Sequence, residues 1–408
     1  MTALAVGGGT VRNPLRSDDT DGTFEALRSF TADVSRENER AHVRVDQPLK
    51  IDDEAISARE SGTLLRFLMP LVSILPGPKT VLLEGRETLA DRSNREPVES
   101  MRNAGLDLEG TGSEQTVPIR CYPGQSPTES PIPVACSSTS QLLSGWFLAL
   151  AASDGGELRR TTQLVSAPYV EMTERVLGEA GVTVDHPAED WYRIEPTKNS
   201  SFDYRVPGDY SSAAFLLVGG LLTEGEVRVQ GLRRDDPQAD KRIVEILRDL
   251  GAQISWGDRS EEGWQLLRLQ GPFDPPGFDV DASDCPDLAP ILAVLGVLSE
   301  GESHIRNVEH LRNKESNRLT GTAEELRKAG YQVRTTRDSL HLGSLRDEYD
   351  SKGTVPLDSR EDHRLAMAFS VLGLVRGDIT VTGAECVSKS YPEFYEHFCS
   401  LGASFTKE

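Results

Sequence analysis

Residues 310 to 319 read HLRNKESNRL, so Arg312, Lys314 and Arg318 crowd around one carboxylate, Glu315. A carboxylate among cations can close a structural ion pair, or it can be held for proton transfer beside an anion that the cations bind. Both readings stay open for Glu315. Further cations occupy comparable places: Arg92 in LADRSNREP, Arg364 in EDHRLAM and Lys389 in VSKSYPEF. Taken singly, each suits a solvated surface position. Taken together, they recur where a strand gives way to a helix in different parts of the chain. Arginine forks grip carboxylate and phosphate at two points and lysine acts as a point charge, so the mixture fits substrates carrying both groups. Asp287, in CPDLAP, is the second candidate for acid–base work.

Several common chemistries find no support. No GxSxG, P-loop or GxGxxG stretch occurs, and VGGGTV (6–11) matches none of them, reading as the turn before a strand. The seven histidines lack HxH or HExxH spacing, so nothing in them points to a metal. Cysteines 121, 136, 285, 386 and 399 stand apart without CxxC pairs, which suits a reducing cytoplasm. With 65 acidic against 44 basic residues the net charge is −21, which disfavours nucleic acid and keeps a chain soluble. An anionic substrate must then find a local basic pocket. The longest apolar runs, such as LAPILAVLGVL (288–298), are too short to span a bilayer, and MTALAVGGGTVRNPL lacks the pattern of a secretory signal.

The elements that must position these residues repeat. A helix-like stretch ending in glycine, then a short apolar strand, recurs as MRNAGLDL, LGEAGVTV, LRDLGAQI, LRKAGYQV and CSLGASF. The glycines are 105, 181, 251, 330 and 402, at intervals of 76, 70, 79 and 72, and one further step back reaches Thr31 in LRSFTADVS. Glycine there fits a left-handed helix terminus. Between these marks lies an apolar helix followed by a glycine turn and a strand, beginning at SGTLLRFL, SSTSQLLSG, GDYSSAAF, PDLAPILAV and EDHRLAMAF. The first copy survives as TALAVGGGTVRNP, its strand present and its helix shortened.

Six α/β units predict two domains of three units each, 1–206 and 207–408, with the boundary in RVPGDYSS (205–212). The five complete apolar helices open on polar residues: Gly62, Thr63 and Arg66; Ser140 and Gln141; Asp209 and Ser211; Asp287; and Asp362, His363 and Arg364. Ser, Thr and Asp are preferred N-caps, which accounts for part of this pattern. Arg66, Gln141 and Arg364 are not cap residues, and helix N-termini also bind phosphates and carboxylates.

Read together, these stretches resemble the 5-enolpyruvylshikimate-3-phosphate synthase (3-phosphoshikimate 1-carboxyvinyltransferase) family. HLRNKESNRL, EDHRLAMAFSV and VSKSYPEF are similar to its C-terminal signatures, ESGTLLRFL to its SGT-x-x-R helix start, and DRSNREPVESM to its Arg-Pro segment with Ser93 in place of the proline. SSTSQLLSG resembles its Ser-Ser-Gln helix start and LVSAPYVEMT its Ser-x-Pro-Tyr strand end, while PGDYSSAAF and CPDLAPILAV complete the series. The resemblance implies a two-domain inside-out α/β prism of six βαβαββ-type repeats with its active site in an interdomain cleft. It also implies transfer of the enolpyruvyl group of phosphoenolpyruvate to the 5-hydroxyl of shikimate 3-phosphate, releasing phosphate, without metal or cofactor.

Carried over residue by residue, the resemblance implies that phosphoenolpyruvate meets Gly62, Arg92, Gln141, Arg318, Arg364 and Lys389. Shikimate 3-phosphate meets Thr139, Ser140, Gln141, Ser166, Asp287, His310 and Lys314. Asp287 then takes the hydroxyl proton and Glu315 serves proton transfer at the alkene carbon. One departure is expected: the family's opening PGSKS-x-x-NR-like segment has no counterpart, as the shortened first repeat also indicates. Thr139 for the first serine of the Ser-Ser-Gln trio keeps a hydroxyl, and His310 keeps a hydrogen-bonding ring. A cytoplasmic monomer acting on small molecules is the expected context. The alternatives are an enolpyruvyl transferase acting on UDP-N-acetylglucosamine, and a shortened non-catalytic relative that binds anions or a partner protein.

Overall fold

The computed structural model describes residues 1–46, 48–197, 202–260, 263–345 and 353–406. The chain divides into two compact units, Met1–Val206 and Pro207–Glu408. Each has its own hydrophobic core, one drawn from residues between Ala3 and Phe202 and the other from residues between Tyr210 and Phe398.

Strands and helices alternate as the repeats predict, giving a mixed α/β architecture. The complete repeat is clearest in the second of the six sequence repeats, within the first compact unit. Ala55–Ser57 lies parallel to Val81–Glu84, which is antiparallel to Thr116–Cys121, which in turn pairs antiparallel with Leu108–Thr111. The helices Gly62–Ile74 and Arg95–Asn103 fill the two connections. The same order of one parallel and two antiparallel pairings recurs from Ile132–Val134 and from Asp279–Asp281. The first repeat takes its parallel strand, Asp203–Arg205, from the far end of its own unit, where it pairs with Gly8–Arg12.

The burial pattern follows the sequence. Strands such as Arg40–Val45 alternate exposed and buried positions, as one-sided sheets do. The helices Gly62–Ile74, Gln141–Ala151, Tyr210–Leu222, Ala289–Val297 and His363–Arg376 are apolar nearly all round and are correspondingly buried. In the second unit the last three of these helices touch one another in pairs.

All five repeat glycines lie in the left-handed region, with φ of 84°, 86°, 104°, 94° and 100° at Gly105, Gly181, Gly251, Gly330 and Gly402. Strands follow the first four, at Leu108, Thr183, Ile254 and Tyr331. The expected strand after Gly402 is not formed: Ala403–Thr406 is irregular. The sixth sheet contains only the parallel pair Val355–Asp358 and Ile379–Thr382 among the described residues. The segment after Gly402 therefore meets no ladder to join, and a strand without a partner leaves its backbone groups unsatisfied.

Candidate active site

In the first unit the polar residues gather at the starts of two buried helices. Ser61 caps the helix Gly62–Ile74 by accepting from the Leu64 N–H. One turn in, Arg66 Nη1 donates to Gln141 Oε1 at 2.8 Å, and Gln141 Nε2 donates to Thr63 Oγ1 at 2.8 Å. Gln141 thus joins the two helix N-termini. Gly62 sits beneath two guanidinium groups, because a Cβ there would lie 2.8 Å from Arg66 Nη1 and 3.0 Å from Arg92 Nη1. A pair of guanidinium groups over a helix N-terminus is a cradle for an anion, and only a bare backbone leaves room for it.

Arg92 is carried by the segment that leads into the helix Arg95–Asn103. Ser93 Oγ donates to Glu114 Oε2 at 2.8 Å, and the Asn94 N–H donates to the Glu114 carbonyl at 3.0 Å. These hydrogen bonds hold the backbone immediately after Arg92. Ser140 is buried, Thr139 Oγ1 accepts from the Gln141 N–H at 3.2 Å, and the Val165 N–H donates to the Cys136 carbonyl, bringing the turn before Ser166 against the same loop. Ser166 itself has a φ of 54° at the start of the helix Ala167–Glu179, a conformation non-glycine residues adopt rarely and mostly at functional or tightly constrained sites.

In the second unit the centre is Arg318, only 1% exposed. Its Nε and Nη2 donate to the two oxygens of Asp362 at 2.9 and 3.2 Å, Nη1 donates to Asp287 at 2.8 Å, and Nη2 to Glu315 at 2.5 Å. Arg364 and Lys314 also reach Asp287, at 3.1 and 3.3 Å. Three carboxylates and three cations therefore share one cluster centred on buried Arg318 and Asp362. Arg318 and Lys389, 1% and 7% exposed, are not the solvated surface charges that each suits when taken singly; buried cations need such partners. Lys389 donates to the Glu361 carbonyl at 3.1 Å.

Electrostatics differ sharply within this cluster. Burial alone would raise the Asp287 pKa, but Arg364, Lys314 and Arg318 outweigh it and hold the carboxyl well below its usual range. Burial, reinforced by Lys314, pulls the His310 pKa down to about 4, and burial with Arg364 does the same at His363. Both rings are neutral at physiological pH. Buried His310 Nε2 and His363 Nδ1 have no hydrogen-bond partner among the described residues.

Two participants escaped the residue-by-residue reading. Asp362 reads in the sequence as an N-cap, and it does accept from the Arg364 N–H at 3.0 Å, yet the same carboxylate also accepts from Arg318 through both oxygens. Asp240, in the turn Ala239–Lys241, is fully buried, accepts from the Ser211 hydroxyl, and has its pKa pushed up to about 7 by burial and by the nearby Asp287. Its flanking cations in QADKR disguise it as a balanced surface turn. Through Ser211, Asp287 and Asp362, the starts of all three buried helices of this unit contribute to one cluster.

The residues expected around the substrates fall into two groups by unit. Gly62, Arg92, Thr139, Ser140, Gln141 and Ser166 lie in the first; Asp287, His310, Lys314, Glu315, Arg318, Arg364 and Lys389 lie in the second. Among the described residues no His, Cys, Asp and Glu group suited to a metal occurs.

A family model described as EPSP synthase (3-phosphoshikimate 1-carboxyvinyltransferase) matches residues 1–398. A 3-phosphoshikimate 1-carboxyvinyltransferase of Pyrococcus furiosus is 35% identical over 402 residues, covering 97% of this chain and 91% of the relative. Another, from Methanothermobacter thermautotrophicus, is 34% identical over 402 residues, covering 98% and 92%. Among solved structures, an EPSP synthase from Acinetobacter baumannii shares the fold with a TM-score of 0.75 at 24% identity, covering 97% of this chain and 91% of that one.

Proposed function

The chain belongs to the EPSP synthase (3-phosphoshikimate 1-carboxyvinyltransferase) family, and on that premise we propose how its two polar clusters divide the reaction. The enzyme transfers the enolpyruvyl group of phosphoenolpyruvate to the 5-hydroxyl of shikimate 3-phosphate and releases phosphate. Phosphoenolpyruvate is assigned to Gly62, Arg92, Gln141, Arg318, Arg364 and Lys389. Thr139, Ser140, Gln141, Ser166, His310 and Lys314 hold shikimate 3-phosphate, whose 5-hydroxyl faces Asp287.

The chemistry needs an acid at the alkene carbon and a base at the hydroxyl. The methylene carbon gains a proton, supplied through Glu315, while the 5-hydroxyl oxygen bonds to the neighbouring carbon and its proton passes to Asp287. The tetrahedral intermediate then loses phosphate as the methyl group returns a proton, restoring the alkene. Cations around the departing phosphate stabilise the charge that develops on it.

The observation that carries this reading is the shared cluster, in which Arg318 contacts both Asp287 and Glu315. In the free chain Asp287 is a weak base, because Arg364, Lys314 and Arg318 hold it ionised. Those cations are also assigned to the substrates. Arrival of anionic phosphate and carboxylate groups diverts part of their field, and the proton affinity of Asp287 rises as the hydroxyl arrives. Asp287→Asn and Glu315→Gln test this directly. Each is expected to lower kcat by about 10²–10⁴-fold, the usual range for lost general acid–base catalysis. Retention of more than a tenth of the rate by either variant would remove that residue from its role.

We assign the chain to the cytoplasm as a monomer. Its cysteines are all free, four of them buried, which suits a reducing compartment, and no described helix is long and apolar enough to cross a membrane. Sedimentation of the purified chain checks the monomer.

A further inference from the structure

Four consecutive backbone N–H groups, from Ala135 to Ser138, are taken up by side chains. Ala135 donates to Ser100 Oγ at 2.9 Å and Cys136 to Thr162 Oγ1 at 2.7 Å. Ser137 donates to Glu96 Oε1 at 3.1 Å, and Ser138 to Glu96 Oε2 at 2.6 Å. The Ser137 hydroxyl also donates to Glu96 Oε1. Both oxygens of one carboxylate thus grip the two residues that lead directly into Thr139, Ser140 and Gln141.

Ser137 and Ser138 are exposed, so water competes for their bonds to Glu96. A backbone stretch of this kind ordinarily samples many conformations, and fixing it costs conformational entropy. Charge-assisted bonds to a carboxylate are roughly twice as strong as neutral ones, which suits Glu96 to holding a solvated turn where a neutral acceptor would let it fray. Glu96 is itself well placed. It lies in the first turn of the helix Arg95–Asn103, where the helix dipole favours an acid, and only four residues beyond Arg92. Asn94, fully buried between them, donates its Nδ2 to the Arg92 carbonyl at 3.1 Å. One short segment therefore presents Arg92 on one side and fixes the Thr139–Gln141 turn on the other.

We propose that Glu96 is a positioning residue for shikimate 3-phosphate, setting the geometry of the hydroxyl-bearing turn Thr139–Gln141 through the amides of Ser137 and Ser138. This rests on the assignment of that turn to shikimate 3-phosphate. Glu96 touches no substrate; its effect is on how well the turn fits one.

The test compares Glu96→Ala, Glu96→Gln and Ser140→Ala in the full chain, by steady-state kinetics with each substrate varied and by binding of shikimate 3-phosphate and of shikimate. Glu96→Ala is expected to raise KM for shikimate 3-phosphate at least tenfold, to raise KM for phosphoenolpyruvate by clearly less, since only Gln141 of the turn meets it, and to reduce the preference for shikimate 3-phosphate over shikimate. Glu96→Gln keeps the size and one acceptor but turns an amide NH₂ toward a backbone N–H, so it should fall between wild type and Glu96→Ala. It carries the test if the alanine variant folds poorly. If Ser140→Ala weakens shikimate 3-phosphate binding and the Glu96 variants do not, or if they raise both KM values alike, the positioning role is overturned. If Ser140→Ala has no effect, the assignment of the turn falls, and the proposal with it.

Discussion

Arg318 is the residue on which the second cluster depends, because three separate carboxylates neutralise one guanidinium that is 1% exposed. The crowding of charge around Glu315 was visible in ten residues of sequence. The partners of Arg318 were not, because Asp287 lies 31 positions earlier and Asp362 lies 44 later, each inside a motif with an ordinary local explanation. Asp240 is the harder case. Its carboxyl is buried and its pKa is about 7, against an ordinary value near 3.8, so the folded chain retains a proton that the unfolded chain has already lost. The stability this contributes is full below about pH 4 and is lost as pH rises through about 7. Asp240→Asn mimics the protonated form and keeps an acceptor for the Ser211 hydroxyl. Its Tm should exceed that of wild type by several degrees at pH 8 and match it at pH 4, measured by thermal unfolding across that range. A constant difference between the two pH values would mean that Asp240 does not titrate in this window. The neutral histidines act in the opposite sense. Their folded pKa values near 4 lie below the ordinary 6.5, so the stability they contribute is present above pH 6.5 and lost as pH falls toward 4.

At the level of elements, the repeating glycines were the most legible feature, since a left-handed helix terminus demands one and all five adopt it. What single elements cannot reveal is pairing. The segment after Gly402 has the pattern of a strand and no ladder to join, and the close approach of two buried helices in the first unit leaves no periodic trace. Gly145 makes that approach possible: a Cβ there would lie 2.6 Å from the Arg66 carbonyl oxygen and 3.0 Å from the Phe67 Cα. Backbone cannot yield as a flexible side chain does, so Gly145→Ala must push the helices Gly62–Ile74 and Gln141–Ala151 apart. Overpacking of this kind costs about 1–3 kcal/mol. Because Arg66 and Gln141 meet at 2.8 Å across the same pair of helices, the separation should also raise KM for phosphoenolpyruvate several-fold. Thermal unfolding and kinetics on one preparation check both effects, and a stability loss without a change in KM would separate the packing from the site. The second unit has a comparable tie in Glu325, a buried carboxylate that accepts from the Asp358 N–H at 3.0 Å and pairs with Arg360 and Lys328, joining the Arg318 helix to the turn that precedes Asp362.

Over the whole molecule, the charge of −21 and the cationic sites describe two different scales. The surface is acidic, while Arg66, Arg92, Arg318, Arg364 and Lys389 are drawn into small sites where helix N-termini and buried carboxylates set the local field. The sequence made the alternation of elements and the types of these residues readable; which distant carboxylates meet Arg318 follows from tertiary structure alone. Neither group suffices for the proposed chemistry. The first unit supplies hydroxyls, amides and cations without an acid–base pair, and the second supplies Asp287 and Glu315. The most direct measurement is phosphate release from phosphoenolpyruvate by the full chain, with and without shikimate 3-phosphate. Release that requires both substrates, and that falls by at least a hundredfold in Asp287→Asn, is the predicted result. Release without shikimate 3-phosphate, or an undiminished rate in Asp287→Asn, would contradict the account.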